Sequence, residues 1–195
     1  LRPTSFAEVA GQRHLLGEGG ALAAMIERGY LPNMIFWGPP GTGKTTVAGI
    51  IAARSGMTLH RLNATSASTQ DVKDVIAESG TLLGSAGTLL YLDEIQYFNK
   101  KQQQTLLESL ESGSVTLIAS TTENPYMYVY NALISRSVVF EFKSLAPGEI
   151  SGVLLRGLGE LNGEQCGSAV APTVHDGESY TAEGGERAIS DGALD

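Results

Sequence analysis

Two stretches of this sequence have the residue types and spacing to handle a polyphosphate and a divalent cation. The first, Gly38-Pro39-Pro40-Gly41-Thr42-Gly43-Lys44-Thr45, fits G-x-x-x-x-G-K-[ST]. Such a loop aims several backbone N–H groups at one anion, which needs glycines free to take positive φ. It must open directly into a helix, whose N-terminal dipole and free N–H groups favour negative charge. Lys44 is placed to reach the terminal phosphates and the Thr45 hydroxyl to bind Mg²⁺, with Thr46 beside them, so ATP and Mg²⁺ are the expected ligands. The plain alternative is a chance match in a glycine-rich chain. Against it, the apolar run Met34 to Trp37 precedes the loop and the helix former Thr46-Val47-Ala48-Gly49-Ile50-Ile51 follows it.

The second stretch, Leu89-Leu90-Tyr91-Leu92-Asp93-Glu94, reads as a buried strand ending in two adjacent acids. Asp93 at the strand end suits the Mg²⁺ shell, usually through water. Glu94 is then left to orient or deprotonate an attacking water. By itself an Asp-Glu pair after an apolar strand is an ordinary solvated turn. Downstream of the glycine loop it acquires a use, because phosphoryl transfer needs a metal ligand opposite that loop and no other strand offers one.

Something must hold these stretches face to face. Apolar runs alternate with segments of helical period, the pattern of a parallel sheet covered by helices. Strands are expected at Met34 to Trp37, Thr58 to Leu62, Thr88 to Leu92, Val115 to Ala119 and Val138 to Phe142, each a nearly continuous apolar run of the kind buried on both faces. Helices are expected at Ala21 to Arg28, Lys44 to Ser55 and Lys101 to Glu111, and after a capping box formed by Ser68 and Asp71. Pro147 to Leu161 also has helical period, with Ile150, Val153, Leu154 and Leu158 in register. From Asn162 to Arg187 the chain turns Gly-, Ser- and Glu-rich and reads as a flexible insertion or linker, and Ile189 to Asp195 resembles the start of a helix.

The bulk properties narrow the classes. With 42% hydrophobic and 17% charged residues among 195, the chain has material for a real core, which excludes general disorder. No apolar run approaches the ~20 residues of a membrane helix, and Leu1 to Thr4 lacks an apolar signal region. The chain opens on Leu1 rather than Met, so upstream residues are expected. A lone cysteine, Cys166, rules out an internal disulfide and suits a reducing cytosol. The net charge of −8 weighs mildly against nucleic acid. A ring would still multiply a few cations per subunit.

The order of the motifs resembles an AAA+ ATPase core: glycine loop, strand-Asp93-Glu94, then Thr116-Leu117-Ile118-Ala119-Ser120-Thr121-Thr122-Glu123-Asn124-Pro125, then Ala132-Leu133-Ile134-Ser135-Arg136. The closer resemblance is to the RarA/MgsA group, replication-associated recombination ATPases related to clamp loaders and to RuvB. It rests on Arg2-Pro3 with Glu8-Val9-Ala10-Gly11-Gln12, on Asp93-Glu94-Ile95 with Phe98-Asn99-Lys100, and on Thr121-Thr122-Glu123-Asn124-Pro125. It implies an α/β fold with a five-stranded parallel sheet of order 5-1-4-3-2. The core would span residues 1–146, and residues 147–195 would begin a helical lid, incomplete here, with the Gly/Ser-rich stretch 162–187 inside it.

The resemblance also assigns roles. Thr122 resembles the sensor-1 residue, with Asn124 as fallback, and Arg136 the arginine finger that completes a neighbour's site. Val9, Ala10 and Gly11 resemble the adenine-side pocket, although as bare residues they read equally as a turn. The family's sensor-2 arginine belongs to the lid, beyond the end of this chain, so weak activity of the chain alone is expected. Implied partners are copies of itself in a ring, tetramer or hexamer, and single-stranded or forked DNA. Single-strand-binding protein and other replisome proteins are further implied partners, in a cytoplasmic, nucleoid-associated setting. The expected function is ATP hydrolysis in replication, recombination or repair at stalled forks. A clamp-loader subunit, a Holliday-junction motor, a small-molecule P-loop kinase and a non-hydrolysing nucleotide switch stand as alternatives. Glu94 argues against the last, since a switch has no use for that acid. Lys100, Lys101, Lys73 and Arg61 could face DNA or simply solvent. Tyr126, Tyr128 and Tyr130 could stack on bases or pack at the core edge, and His14 reads as packing.

Overall fold

Short apolar runs bounded by glycine and polar residues become strands in the computed structural model, which describes residues 2–79 and 87–161. They are β1 (Asn33–Trp37), β2 (Thr58–Asn63), β3 (Thr88–Asp93), β4 (Thr116–Thr121) and β5 (Ser137–Glu141). All pair in parallel, in the order β2-β3-β4-β1-β5, which is the expected 5-1-4-3-2 read from the other edge. The helices are α1 (Arg13–Leu16), α2 (Ala21–Glu27), α3 (Lys44–Ser55), α4 (Thr69–Ser79), α5 (Lys100–Glu111), α6 (Pro125–Tyr128), α7 (Asn131–Ile134) and α8 (Pro147–Leu161). The Gly/Ser-rich stretch 162–187, the expected helix start at Ile189 to Asp195, Cys166 and His175 lie outside the described residues.

The period of two along each strand sorts side chains into two cores. Leu89 and Tyr91 of β3, Ile118 of β4, and Met34 and Phe36 of β1 pack with Val47 and Ile51 of α3. Leu90 and Leu92, Leu117 and Ala119, and Ile35 pack on the other face with Val72 of α4, Leu106 of α5 and Leu133 of α7. Continuous apolar runs are thus real for the central strands, as burial on both faces demands. The edges differ. In β2 no residue is fully buried, and His60 and Arg61 sit among its apolar positions. In β5 only Phe140 is buried. An edge strand has a neighbour on one side alone, so it tolerates polar residues that a central strand excludes.

Local chemistry sets the helix ends. The Ser68 hydroxyl accepts from the Asp71 amide while the Asp71 carboxylate accepts from the Ser68 amide, the expected reciprocal box before α4. The same device begins α5 one residue earlier than its apolar period indicates. There the Asn99 side chain accepts from the Gln102 amide and the Gln102 side chain accepts from the Asn99 amide. Asn124 caps α6, with Pro125 at the first helical position where its missing N–H goes unneeded. Along α8, Ile150, Val153, Leu154 and Leu158 are exposed among the described residues. His14 is exposed rather than packed, and its Nε2 lies 2.9 Å from the Glu141 carbonyl at the end of β5.

At Gly38 the backbone has φ +142°, and a Cβ built there would lie 2.0 Å from the Phe142 carbonyl oxygen. The loop therefore leaves β1 pressed against the chain that exits β5, a path open to glycine alone.

Candidate nucleotide site

β1 and β3 deliver their motifs to the same end of the sheet because the strands are parallel. The loop after β1 and the acids ending β3 line one cleft of about 300 Å³, with Pro40, Gly41, Thr42, Gly43, Lys44, Thr45, Thr46, Asp93, Glu94 and Thr122 on its walls. Gly41 and Gly43 take φ +74° and +94°, the left-handed region that the loop reading requires. Gly43 is the residue from which α3 starts. The Lys44 ammonium donates to the carbonyls of Gly38 at 2.6 Å and Pro39 at 2.8 Å. Burial pushes its pKa below the usual lysine range, while the charges of Glu94 and Asp93 oppose that shift. The Thr42 hydroxyl donates to the Pro39 carbonyl, so the loop is braced from within.

Successive residues of a strand point to opposite faces, so Asp93 and Glu94 could not both face the cleft in extended backbone. The chain solves this at Glu94, which adopts φ 55°, ψ 48°. This left-handed turn brings its carboxylate back to the cleft. There Oε2 accepts from the Thr122 hydroxyl at 3.2 Å and from Gln96 Nε2 at 2.6 Å. Thr122 reaches it because Leu92 of β3 is in register with Ala119 of β4, which ends both strands side by side. Asn124 does not line the cleft; its carboxamide accepts from the Tyr126 amide as the cap of α6.

Val9, Ala10 and Gly11 line a second hollow of about 390 Å³ with Phe6, Arg13 and residues of α8. Val9 borders the loop, since a Cβ at Gly43 would meet its Cγ1 at 3.6 Å. Arg156 of α8 donates to the Glu8 carbonyl at 2.8 Å, tying that helix to this segment. Buried Gln12 joins the parts: its side chain donates to the Thr42 and Lys143 carbonyls and accepts from the Lys143 amide. Arg136 stands apart from its own chain's cleft. It is half-exposed and pairs with Glu111 of α5 at 2.7 Å.

Three polar residues at this site escaped the sequence reading. Gln96 holds Glu94. Tyr91 and Ser120 are fully buried beneath Thr45 and Asp93. The Tyr91 hydroxyl lies 3.0 Å from Thr45 Oγ1, 2.9 Å from Ser120 Oγ and 3.2 Å from Asp93 Oδ1. Burial is the chief cause that pushes the Tyr91 pKa up to about 12, so it is a protonated phenol at any working pH. The signal available was small: a tyrosine two residues before Asp93, hence on the same face of β3.

A donor set of one carboxylate and one hydroxyl, hard oxygens at the glycine-rich loop, fits Mg²⁺, which prefers few protein ligands plus phosphate and water. No cluster of His, Cys, Asp and Glu able to cage a metal occurs among the described residues. No helix among them is long and apolar enough to cross a membrane.

Comparison with known proteins settles the family. Residues 34–145 match the ATPase family associated with various cellular activities, AAA. The chain belongs to this family. Among its relatives, replication-associated recombination protein A of Haemophilus influenzae is 44% identical over 155 residues, which cover 79% of this chain and 35% of that protein. The protein of the same name from Escherichia coli K12 is 41% identical over 160 residues, covering 81% and 36%. The chain thus spans about a third of the length of these curated relatives. Among solved structures, the Thermotoga maritima RuvB Holliday junction branch migration motor superposes with a TM-score of 0.68 at 25% identity, covering 83% of this chain and 55% of that one.

Proposed function

We propose that this AAA chain is the ATP-binding and ATP-hydrolysing core of an oligomeric ATPase of DNA replication, recombination and repair, acting at stalled forks or single-stranded DNA. The observation that carries the reading is the convergence of Lys44, Thr45, Asp93, Glu94 and Thr122 on one cleft. The likeness to the two recombination proteins, at 41% and 44% identity, supports the DNA setting. In this reading the residues from Gly38 to Thr46 cradle the phosphates, and Val9, Ala10 and Gly11 border the adenine. Thr45 and Asp93 hold Mg²⁺, which when bound neutralises charge on the β- and γ-phosphates. Glu94 orients and deprotonates the attacking water, and Thr122 holds Glu94 in place as sensor 1. Arg136 serves a neighbour's site in a ring of four or six chains. Residues 1–146 form the core and α8 begins the lid. DNA, single-strand-binding protein and other replisome proteins are the partners, and the nucleoid in the cytoplasm is the place.

A branch-migration motor of the RuvB kind is the second reading, favoured by the structural superposition. The higher identity to the recombination proteins ranks it below the first.

Lys44→Ala is expected to lower ATP affinity on the order of 100-fold, because it deletes charge-assisted hydrogen bonds to phosphate. Titration of a fluorescent ATP analogue reads this directly, and retained affinity would remove the loop from its role. The DNA assignment is tested by turnover of the assembled protein with single-stranded, forked and four-way-junction DNA. Stimulation by the first two is expected. Stimulation by the junction alone would favour the second reading, and none by any would sink the DNA assignment.

A further inference from the structure

The hydroxyls of Thr45, Tyr91 and Ser120 and the carboxylate of Asp93 form one hydrogen-bonded chain, with Tyr91 and Ser120 buried and Thr45 and Asp93 at the cleft wall. Tyr91 and Asp93 share a face of β3, Ser120 lies on the corresponding face of β4, and Thr45 comes from the first turn of α3. Ser120 Oγ donates to Asp93 Oδ1. Tyr91 touches both of these and Thr45. Each hydroxyl has one proton, and an ionised carboxylate only accepts. Ser120 gives its proton to Asp93 and Tyr91 donates to Ser120, so the remaining position on the Tyr91 oxygen accepts, and Thr45 supplies that proton. The Thr45 lone pairs are then turned to the cleft. A hydroxyl free to rotate would present its proton to a cation part of the time.

We propose that Tyr91, with Ser120, is a positioning residue for the Mg²⁺ site: it fixes the rotor of the Thr45 hydroxyl and the plane of the Asp93 carboxylate before the cation arrives. This rests on the reading of Thr45 and Asp93 as the Mg²⁺ ligands. Outer partners that orient metal ligands are typically worth 10- to 100-fold in metal affinity. Tyr91 is buried and lines none of the cleft, so it acts through its neighbours. Its ring fills the core between β3 and α3, and Tyr91→Phe keeps that ring while deleting the hydroxyl.

The test is the binding of the slowly hydrolysed analogue ATPγS to the chain, measured in EDTA and then across a Mg²⁺ titration. For Tyr91→Phe the half-saturating Mg²⁺ concentration is expected to rise about 10-fold, with affinity in EDTA unchanged. Ser120→Ala, which loses the same relay with little change in volume, carries the same expectation should Tyr91→Phe fail to fold. An unchanged Mg²⁺ requirement, or an equal loss of affinity in EDTA, overturns the proposal, the latter by revealing a merely structural hydroxyl. Thr45→Ala and Asp93→Asn separate this failure from that of the site. If they abolish the Mg²⁺-dependent gain while Tyr91→Phe leaves it intact, only the positioning role falls. If they too bind Mg²⁺ and nucleotide normally, the metal assignment falls and takes the positioning role with it.

Discussion

Arg136→Ala is expected to lower ATP turnover of the assembled protein by about 10³-fold, the low end of what an arginine finger supplies, while each chain binds ATP as before. The separation of effects follows from where the side chain sits. Arg136 follows α7 and lines none of its own chain's cleft, so its removal leaves the phosphate loop untouched. Its guanidinium pairs instead with Glu111, and both side chains are about half exposed. An exposed ion pair of this kind is worth between 0 and about 1 kcal/mol, too little to hold the guanidinium back from a phosphate offered by a neighbour. The planar fork suits spreading charge from the transferring phosphoryl oxygens. Mixing Arg136→Ala chains with Lys44→Ala chains provides the decisive arm. A chain with an intact loop but no finger would then sit beside one that supplies the finger, and turnover should partly return. Turnover that never fell would leave Arg136 as a surface ion pair. A fall with no rescue in the mixture would rule out action between chains.

Glu94→Gln carries the second large effect. Turnover is expected to fall 10²- to 10⁴-fold, the range of a lost general base, with ATP affinity retained. Glutamine keeps the size of the side chain and an oxygen to accept from Thr122 and Gln96, so the local geometry has reason to persist. What disappears is the negative charge that, in the proposed mechanism, draws the proton from water. Single-turnover measurements on the assembled protein, alongside a binding titration, distinguish this from a general loss of the site. Unchanged hydrolysis would mean that the acid beside Asp93 serves some other purpose.

How much of this was legible in the sequence depended on how local each feature is. The loop from Gly38 to Thr45 is contiguous, and its demands on φ are written in its own residues. The apolar runs of β1, β3 and β4 announced strands because burial on both faces favours apolar side chains along most of their length. That argument overreached at β2 and β5, whose edge positions are decided by topology and not by composition. Helices α6 and α7 have four residues each, too few to display a period, and were invisible. The box at Asn99 and Gln102 was readable in principle, and a search for caps would have moved the start of α5. Tyr91 was the true blind spot. In β3 it reads as one more core residue, and its meaning lies in Ser120, 29 positions away, and Thr45, 46 positions away. Only the parallel register brings those oxygens together.

The left-handed backbone at Glu94 has a consequence for how this chain tolerates change. A β-carbon in that conformation costs roughly 1–2 kcal/mol relative to the right-handed form, and glycine alone adopts it freely. Backbone strain by itself would therefore favour glycine at position 94, and the hydrogen bonds from Thr122 and Gln96 together with the proposed role of the acid oppose it. Relatives freed from hydrolysing nucleotide are thus expected to lose this residue early, with a gain in robustness. Under the proposed role of Glu94, the acid and the backbone compete at one residue, and position 94 would record whether a lineage still turns over its nucleotide.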